Sequence, residues 1–237
     1  MKLLKVGFVP KFLICIVLFS SAHVIQPTSL LEVVTIFSRY LQNPSQVGEF
    51  APLSQSVGIE LARFIAKVPC HIEYVGKRYL EAGGGCGATS VCIACAMHLE
   101  DHLDVIEIDP EMCEILKKRL AGFANVSVHC CSILDWKPEA GYDGIVSTLP
   151  FNSLGIGFTT QAIAYFKRVS NDLCMFSYVE YPVVRQVVQH FYGGDRKREF
   201  QEVQSFLAII RQTYLIEQLT IYRNVPPITI YHLCLKP

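Results

Sequence analysis

The sequence predicts an α/β fold in which helices cover a mostly parallel sheet. Three observations lead to this prediction. From about residue 78 onward, short apolar segments with strand character alternate with segments of helical apolar spacing, which is the order of βαβ units. Four glycines lie between the first of these strands and the first helix, in "YLEAGGGCG" at residues 79–87. The length of 237 residues suits one domain with small additions.

The individual elements follow along the chain. Before the sheet we predict a helix with one apolar face at 29–41, a turn region at 42–56 and a second helix to about Val68. The predicted strands of the alternating part are 78–82, 103–109, 125–131, 143–147 and 172–179, and its predicted helices are 88–99, 110–121 and 157–169. Residues 182–214 are predicted to be mostly helical with an interruption at 193–198. The chain then ends in two strands joined through "NVPP", a connection short enough for an antiparallel hairpin.

Composition narrows the function classes. Lys and Arg total 21, as do Asp and Glu, so the chain lacks the basic excess expected of a protein devoted to nucleic acid. Hydrophobic residues make up 51%, which is more apolar than an average soluble domain and suggests membrane contact. The ten cysteines show neither a disulfide framework nor a completed metal-binding pattern. We therefore expect reduced cysteines and no metal.

The first 28 residues form an apolar segment that resembles a signal or membrane anchor. Lys2, Lys5 and Lys11 precede its apolar run of 14 residues, "FLICIVLFSSAHVI". This run is shorter than the roughly 20 residues that a spanning helix needs. A cleaved signal, an uncleaved anchor and an interfacial helix are all compatible with this pattern.

The glycines point to a particular kind of ligand. Their spacing is G-x-G-x-G, at Gly83, Gly85 and Gly87, and it fits neither a Walker loop nor the GxGxxG fingerprint of dinucleotide sites. Glycines at this position allow a tight turn and a close approach of the backbone to a ligand. The carboxylate of Glu81 would repel a pyrophosphate and would suit a cationic amino group.

"LEAGGGCG" resembles the E/D-x-G-x-G-x-G motif of class I methyltransferases, which use S-adenosylmethionine. The resemblance implies a Rossmann-like fold with a seven-stranded, mostly parallel sheet and an antiparallel C-terminal hairpin. It also implies that Glu107, 26 residues after Glu81 at the end of "VIEID", binds the ribose hydroxyls. Ser132 stands where the family places an Asp near the adenine. The implied cofactor-binding residues are Glu81, Gly83, Gly85, Gly87, Glu107, Ile108, Ser132, Ile133 and Thr148.

The segment "DGIVSTLPFNSL" indicates the methyl acceptor. Its "TLPF" is similar to the "NLPY" of ribosomal RNA adenine dimethylases, in which a backbone carbonyl orients an amine. The resemblance implies that a carbonyl near Leu149 and Pro150 accepts a hydrogen bond from the amine and that Phe151 covers the transferring methyl. Asn152 and Tyr178 complete the implied catalytic set, and Glu180 is a further candidate amine contact.

Two further segments resemble bacterial phospholipid N-methyltransferases. These are "YLQNPSQVGEFAPLSQSVGIELAR" at 40–63 and "YRNVPPITIY" at 222–231, and the resemblance extends over about residues 33–235. It implies methylation of the amine of phosphatidylethanolamine or a related phospholipid. Candidate contacts for the lipid phosphate are Arg39, Arg63 and the "RKR" of 196–198. An RNA adenine N-methyltransferase and a non-catalytic cofactor-binding scaffold remain as alternatives.

These interpretations divide the chain into three parts. Residues 1–28 are the apolar segment, 29–68 are helices that cover the active site, and 69–237 are the cofactor-binding methyltransferase domain. Because S-adenosylmethionine is held in the cytosol, we expect an uncleaved segment and a protein on the cytoplasmic side of a membrane. A cytoplasmic protein whose start is mis-assigned is the alternative, and the sequence leaves the oligomeric state open.

Overall fold

The computed structural model describes residues 53–65, 74–182, 194–224 and 227–237. The helices in these ranges are α1 (Gln55–Leu61), α2 (Ala88–Ala96), α3 (Pro110–Leu120), α4 (Phe151–Val169) and α5 (Gly194–Tyr214). The strands are β1 (Arg78–Ala82), β2 (His102–Glu107), β3 (Val126–Cys130), β4 (Tyr142–Ser147), β5 (Ser170–Glu180), β6 (Leu215–Ile221) and β7 (Ile228–Cys234).

In this part of the chain, seven strands form one sheet with the order β3-β2-β1-β4-β5-β7-β6. Strands β1 to β5 pair in parallel, whereas β7 is antiparallel to both β5 and β6. The predicted seven-stranded α/β fold with an antiparallel C-terminal hairpin is therefore confirmed. The chain leaves β1 toward β2 and β3 and then returns to β4 on the other side of β1. This reversal creates a crevice at the carboxyl ends of β1 and β4, where open α/β sheets bind ligands.

A hydrophobic core covers each face of the sheet. On one face, α4 and α5 pack residues such as Phe166 and Leu207 against Phe176 of β5. On the other face, α1 and α3 contribute Val57 and Leu116 to a second cluster. Because both faces of the sheet are covered, β1, β2 and β4 are almost continuously buried instead of alternating between buried and exposed residues.

Local sequence signals account for the helix boundaries. Helix α3 begins after Asp109, whose carboxylate accepts hydrogen bonds from the backbone N–H groups of Glu111 (2.8 Å) and Met112 (3.2 Å). Pro110 occupies its first position, where no intrahelical N–H bond is lost. Helix α2 begins after Gly87 in the left-handed region, with φ of +86°.

Three predicted boundaries differ most from the structure. Helix α1 ends at Leu61 and a turn follows, although a helix to about Val68 was predicted. Helix α4 begins at Phe151 instead of 157, with a kink at Gly155 where φ is +77°. Its first turns contain Gly155 and Gly157 and follow Pro150. Because glycine and proline disfavour helices, the sequence pattern did not indicate a helix there. The predicted interruption at 193–198 is wrong for residues 194–198, which form the first turns of α5.

Several predictions concern residues outside the described ranges. These are the apolar segment 1–28, the helix at 29–41, the turn region up to residue 52, and Arg39. Within the described ranges, none of the helices has the length and apolar character needed to cross a membrane. The same ranges contain no group of three or more His, Cys, Asp or Glu residues that could hold a metal ion.

Candidate functional site

The sheet brings most of the predicted site residues to one edge. Ala82, the last residue of β1, lies opposite Ile106 of β2 and Ser147 of β4. The glycine turn, Glu107 and Thr148 each follow or end one of these strands, and they therefore meet at the carboxyl edge. This edge is the crevice that the strand order creates.

The glycine turn is held by backbone and side-chain hydrogen bonds. The N–H groups of Gly83 and Gly84 both donate to the carbonyl of Ile106, at 2.9 and 3.2 Å. Thr148 binds the turn from the other side, because its hydroxyl donates to the carbonyl of Gly83 at 2.5 Å. The turn is thus fixed between β2 and the segment after β4.

The backbone conformation explains why glycines stand here. Gly83, Gly85 and Gly87 have φ of +88°, +50° and +86°, in the left-handed region that other residues rarely adopt. Gly84 has a different reason, because a Cβ atom there would lie 2.5 Å from a methyl carbon of Val105. The turn consequently presents bare backbone at the crevice, which allows close approach of a ligand.

Glu107 is fixed in one orientation by three backbone N–H groups. One carboxylate oxygen accepts from Gly85 at 2.7 Å, and the other accepts from Ile108 at 2.8 Å and from Asp109 at 2.9 Å. A carboxylate offers about four acceptor positions, so one remains, on the oxygen that faces Gly85. The half-exposed carboxylate can therefore accept a hydrogen bond from a ligand hydroxyl without giving up its own contacts.

Glu81 and Ile108 lie at opposite extremes of exposure. Glu81 is fully buried at the end of β1. Tyr79, two residues earlier in β1, packs in the same cluster as Ile93 of α2, and alternate residues of a strand share a face, so Glu81 lies on the face of the sheet that α2 covers. Ile108 is 69% exposed directly after Glu107. An exposed apolar side chain at this position can cover a flat ring.

The segment after β3 forms a turn at the same edge. The hydroxyl of Ser132 accepts from the N–H of Leu134 at 3.3 Å, and its carbonyl accepts from the N–H of Asp135 at 3.0 Å. The Ile133 side chain is buried in the core. Ser132 therefore stabilises its own turn. It stands at the position of the expected Asp, and its contacts there are with Leu134 and Asp135 of the same turn.

The segment after β4 passes directly into α4. The carbonyl of Leu149 accepts from the N–H of Phe151 at 2.9 Å, and that of Pro150 accepts from the N–H groups of Ser153 and Leu154. Leu149 therefore keeps a second lone pair for a ligand, whereas Pro150 already has two donors. Of the two carbonyls predicted to orient an amine, that of Leu149 has the free acceptor position.

Phe151 and Tyr178 belong to the core. Phe151 is 3% exposed and Tyr178 is fully buried, and their rings meet edge to face with centroids 5.9 Å apart. Neither ring reaches the surface of the crevice, so contact with an acceptor would require the segment to move. Their position follows from the strand and helix that carry them, β5 and the first turn of α4.

A buried ion pair that the sequence analysis did not find lies beside Tyr178. Arg211 of α5 donates to Glu180 at 2.5 Å and to the Tyr178 hydroxyl at 2.8 Å, and it stacks over the Tyr231 ring at 4.7 Å. Burial is the main cause that raises the pKa of Tyr178, and the charge of Glu180 adds to it. Glu180, predicted as an amine contact, is thus already paired.

A second missed contact involves Asn152. Its side-chain oxygen accepts from the side chain of Gln204 at 2.5 Å, which orients the Asn152 amide at the start of α4. Gln204 and Arg211 are seven residues apart and lie on the same face of α5 as the buried Val203 and Leu207. The apolar spacing of α5 in the sequence indicates this buried face. It does not indicate that Gln204 contacts Asn152 or that Arg211 contacts Glu180.

The segments at either end of the described chain also meet. The N–H of Ser54 donates to the side-chain oxygen of Asn224, in the connection between β6 and β7, at 3.0 Å. Arg63 pairs with Glu60 and Glu217, both at 3.0 Å, on the protein surface. Arg63 is therefore occupied, whereas the residues 196–198 are exposed on the first turns of α5.

Comparisons with known proteins identify the fold. No protein-family profile and no curated protein matches the chain. Among solved structures, the N-methyltransferase NodS from Bradyrhizobium japonicum WM9 is 14% identical with a TM-score of 0.58, covering 77% of this chain and 94% of that one.

Two further structures agree. The O-methyltransferase TomG from Streptomyces achromogenes, in complex with SAM, is 18% identical with a TM-score of 0.54, over 92% of this chain and 95% of that one. An O-methyltransferase from Bacillus cereus, in complex with SAH, is 13% identical with a TM-score of 0.57, over 93% and 97%. The chain therefore has the Rossmann-like α/β fold that these methyltransferases share.

Proposed function

We propose that this protein is an S-adenosylmethionine-dependent N-methyltransferase whose acceptor is the amine of phosphatidylethanolamine or a related phospholipid. The observation that supports the cofactor in this proposal is the fixed position of the Glu107 carboxylate. Three backbone N–H groups hold it beside a turn of bare, left-handed backbone. The methyltransferases of the same fold, two of them in complex with SAM or SAH, support the cofactor.

The residues at the edge fit this cofactor. The turn has to be glycine at residue 83, since a Cβ there would lie 3.1 Å from the Thr148 hydroxyl and would crowd the edge at which the cofactor would bind. Glu107 would accept from the ribose, Ile108 would cover the adenine, and the buried charge of Glu81 would suit the amino group. There is no pyrophosphate in this cofactor for Glu81 to repel. Ser132 would contribute through its turn more than through its own hydroxyl.

The chemistry demands mainly placement from the protein. The cofactor supplies a methyl group already activated by a sulfonium, so the protein has to hold the acceptor nitrogen in line with it. An alkylammonium has a pKa near 10 and must lose its proton before it can react. The free lone pair of the Leu149 carbonyl would then accept a hydrogen bond from the neutral amine. Asn152 follows in the first turn of α4.

The phospholipid acceptor is supported by the two segments that resemble phospholipid N-methyltransferases. Their described parts contact each other through Ser54 and Asn224. The pairing of Glu180 with Thr229 brings the β6–β7 connection to the same edge as the glycine turn. An apolar segment at 1–28 would hold the protein on the cytoplasmic side of a membrane, close to such a substrate.

The test is to follow methyl transfer to defined acceptors. The full chain is incubated with methyl-labelled S-adenosylmethionine and either vesicles containing phosphatidylethanolamine, vesicles of phosphatidylcholine alone, or ribosomal RNA. We expect label only with phosphatidylethanolamine, and none with the Glu107→Ala variant. Label in RNA alone would overturn the lipid acceptor. Cofactor binding without any labelled acceptor would favour the scaffold.

Membrane association is tested separately. Deletion of residues 1–28 should release the protein from phosphatidylethanolamine vesicles in a sedimentation assay, because the deletion removes the apolar run. The shortened chain should keep its affinity for S-adenosylmethionine, since every proposed cofactor contact lies beyond residue 80. An unchanged vesicle-bound fraction would show that the attachment lies elsewhere.

A further inference from the structure

We infer that Cys113 and Cys130 form a thiol pair that peroxides oxidise to a disulfide, and that the disulfide form binds the nucleoside cofactor more weakly. The pair itself stands on the geometry of α3 and β3. Its effect on binding rests on the proposed cofactor site, because both cysteines lie against Glu107.

Strand β3 directs Cys130 toward α3. Val126 and Val128 pack against the hydrophobic cluster that includes Val105 and the buried face of α3. Since side chains alternate along a strand, Cys130 points to the same face as these two valines. Cys130 is the last residue of β3 and is exposed, so its thiol can meet a small oxidant from solvent.

Helix α3 directs Cys113 toward β3. Cys113, Leu116 and Leu120 are its buried residues, and their spacing of three and seven places them on one helical face. This face packs on the sheet, with Leu116 in the cluster that contains Val105. The two cysteines thus face each other across the contact of α3 with β3.

Both thiols also contact the backbone of Glu107. The Cys113 thiol donates to the Glu107 carbonyl at 3.4 Å, and Cys130 is the register partner of Glu107 in the parallel pairing of β2 with β3. The packing of α3 against β3 thus brings both cysteines to the same residue of β2. The pair therefore sits directly behind the carboxylate that would bind the ribose.

The two thiols differ in how they can react. Cys113 is 1% exposed, and burial is the main cause that raises its pKa to about 12, followed by its contact with the Cys130 thiol. A thiol held protonated is a poor nucleophile toward peroxide. The exposed Cys130 is therefore the thiol that attacks the peroxide, and Cys113 is the resolving partner.

The reaction balances with a peroxide as the oxidant. The Cys130 thiolate attacks one peroxide oxygen, an S–O bond forms, the O–O bond breaks, and hydroxide leaves and takes a proton from solvent to give water. The Cys113 sulfur then attacks the Cys130 sulfur, and the S–S bond forms as the S–O bond breaks. The second hydroxide takes the Cys113 proton, so two thiols and one hydrogen peroxide give one disulfide and two waters.

Formation of the disulfide would disturb Glu107. An S–S bond is about 2.05 Å long, far shorter than a contact between two thiols. The end of β3 and the first turns of α3 would have to move together. The Cys113 thiol would also lose the hydrogen that it donates to the Glu107 carbonyl. Because Glu107 is fixed by N–H groups from two segments, a shift of its backbone would misplace the carboxylate.

The experiment treats the full chain with hydrogen peroxide and then blocks remaining thiols with an alkylating reagent. Peptide mass spectrometry should show a Cys113–Cys130 disulfide in the wild type, reversed by dithiothreitol. In Cys113→Ala, Cys130 should instead react as a sulfenic acid with dimedone. The Cys95→Ser variant removes another exposed thiol and should behave as the wild type. Absence of the disulfide, or a disulfide that joins Cys130 to a different cysteine in the wild type, would overturn the pair.

Calorimetry with S-adenosylmethionine tests the effect on binding. The oxidised wild type should bind about tenfold more weakly than the reduced protein, which corresponds to ~1.4 kcal/mol. Peroxide should leave the affinity of Cys130→Ser unchanged. Equal affinity of the oxidised and reduced wild type would show that the disulfide does not weaken cofactor binding, although the two thiols can still form it. Failure of the reduced wild type to bind would instead overturn the proposed function.

Discussion

Replacement of Glu107 by Gln is the most direct test of the cofactor site, because it changes charge and hydrogen bonding with almost no change in shape. The carboxylate accepts three backbone N–H bonds, at 2.7, 2.8 and 2.9 Å. An amide has one acceptor oxygen. In Glu107→Gln, that oxygen can keep Ile108 and Asp109, but its NH₂ group then faces the Gly85 N–H, donor against donor.

The magnitude follows from these contacts. A hydrogen bond to a charged group contributes about 1.5–3 kcal/mol, so loss of the Gly85 bond should lower the free energy of unfolding by about 2 kcal/mol. The acceptor position left for the ribose is on the oxygen that becomes NH₂. Loss of that contact and movement of the turn should weaken cofactor binding by about 10–100-fold, or ~1.4–2.8 kcal/mol.

The assay is calorimetric titration of S-adenosylmethionine, with the free energy of unfolding measured in denaturant on the same preparations. Asp109→Asn is the matched control, since it also removes one negative charge nearby and keeps an oxygen that can cap α3. The control should bind within about twofold of the wild type, because Asn caps a helix about as well as Asp and the three backbone N–H bonds to Glu107 are kept. An affinity of Glu107→Gln equal to that of the control would refute the assignment of Glu107 to the ribose.

The remaining predictions concern the turn, the buried ion pair and the buried acid of β2. Gly83→Val should abolish cofactor binding seen by calorimetry while the chain still folds, because φ there is +88° and the new side chain would crowd Thr148 and Leu149 at the cofactor edge. Arg211→Ala should lower the free energy of unfolding by about 3–5 kcal/mol in denaturant titrations, because it leaves the Glu180 carboxylate buried and unpaired. For Asp104, burial alone would raise the pKa, but hydrogen bonds from His129, Tyr142 and Arg78 outweigh it and lower the pKa below its ordinary 3.8. Its stabilisation should therefore be present above about pH 4 and be lost as the pH falls toward the folded-state pKa, and Asp104→Asn should show a shallower loss of stability over that range.

Each of these has a control in the same chain. Gly122→Val places a side chain where no atom lies within 4 Å and should bind the cofactor normally. Arg198→Ala removes an arginine whose side chain is 75% exposed and should change stability by no more than about 0.5 kcal/mol. Asp172→Asn removes an exposed carboxylate and should keep the wild-type dependence on pH. Equal effects in a variant and its control would contradict the corresponding assignment.

Much of the predicted site could be read from the chain because its signals are local. The glycine spacing, the acid before it and the acid at the end of the next strand lie at the ends of consecutive strands, and parallel strands bring their carboxyl ends to one edge. The predicted strand nearest the glycines, 78–82, agrees with β1 residue for residue. The roles of individual residues toward the cofactor and acceptor remain predictions.

The surroundings of Tyr178 and Phe151 could not be predicted, because they depend on contacts between residues far apart in the sequence. Tyr178 follows an apolar strand and looked available at its end, but α5 covers it and pairs Arg211 with Glu180. Phe151 follows a proline and precedes the helix predicted at 157–169. It begins a helix instead, and its ring packs in the core against Tyr178.

The sequence by itself determined the α/β alternation, the antiparallel hairpin and a turn that only glycines can adopt, because periodicity, turn chemistry and backbone sterics act over a few residues. Only the tertiary structure decided which distant groups meet. Arg211 and Tyr178 are 33 residues apart along the chain, and Ser54 and Asn224 are 170 apart. Cys113 and Cys130 come together because α3 packs against β3. Such pairings depend on strand order and helix packing. Sequences with the same local pattern can differ in both, so the local pattern does not determine which distant residues meet.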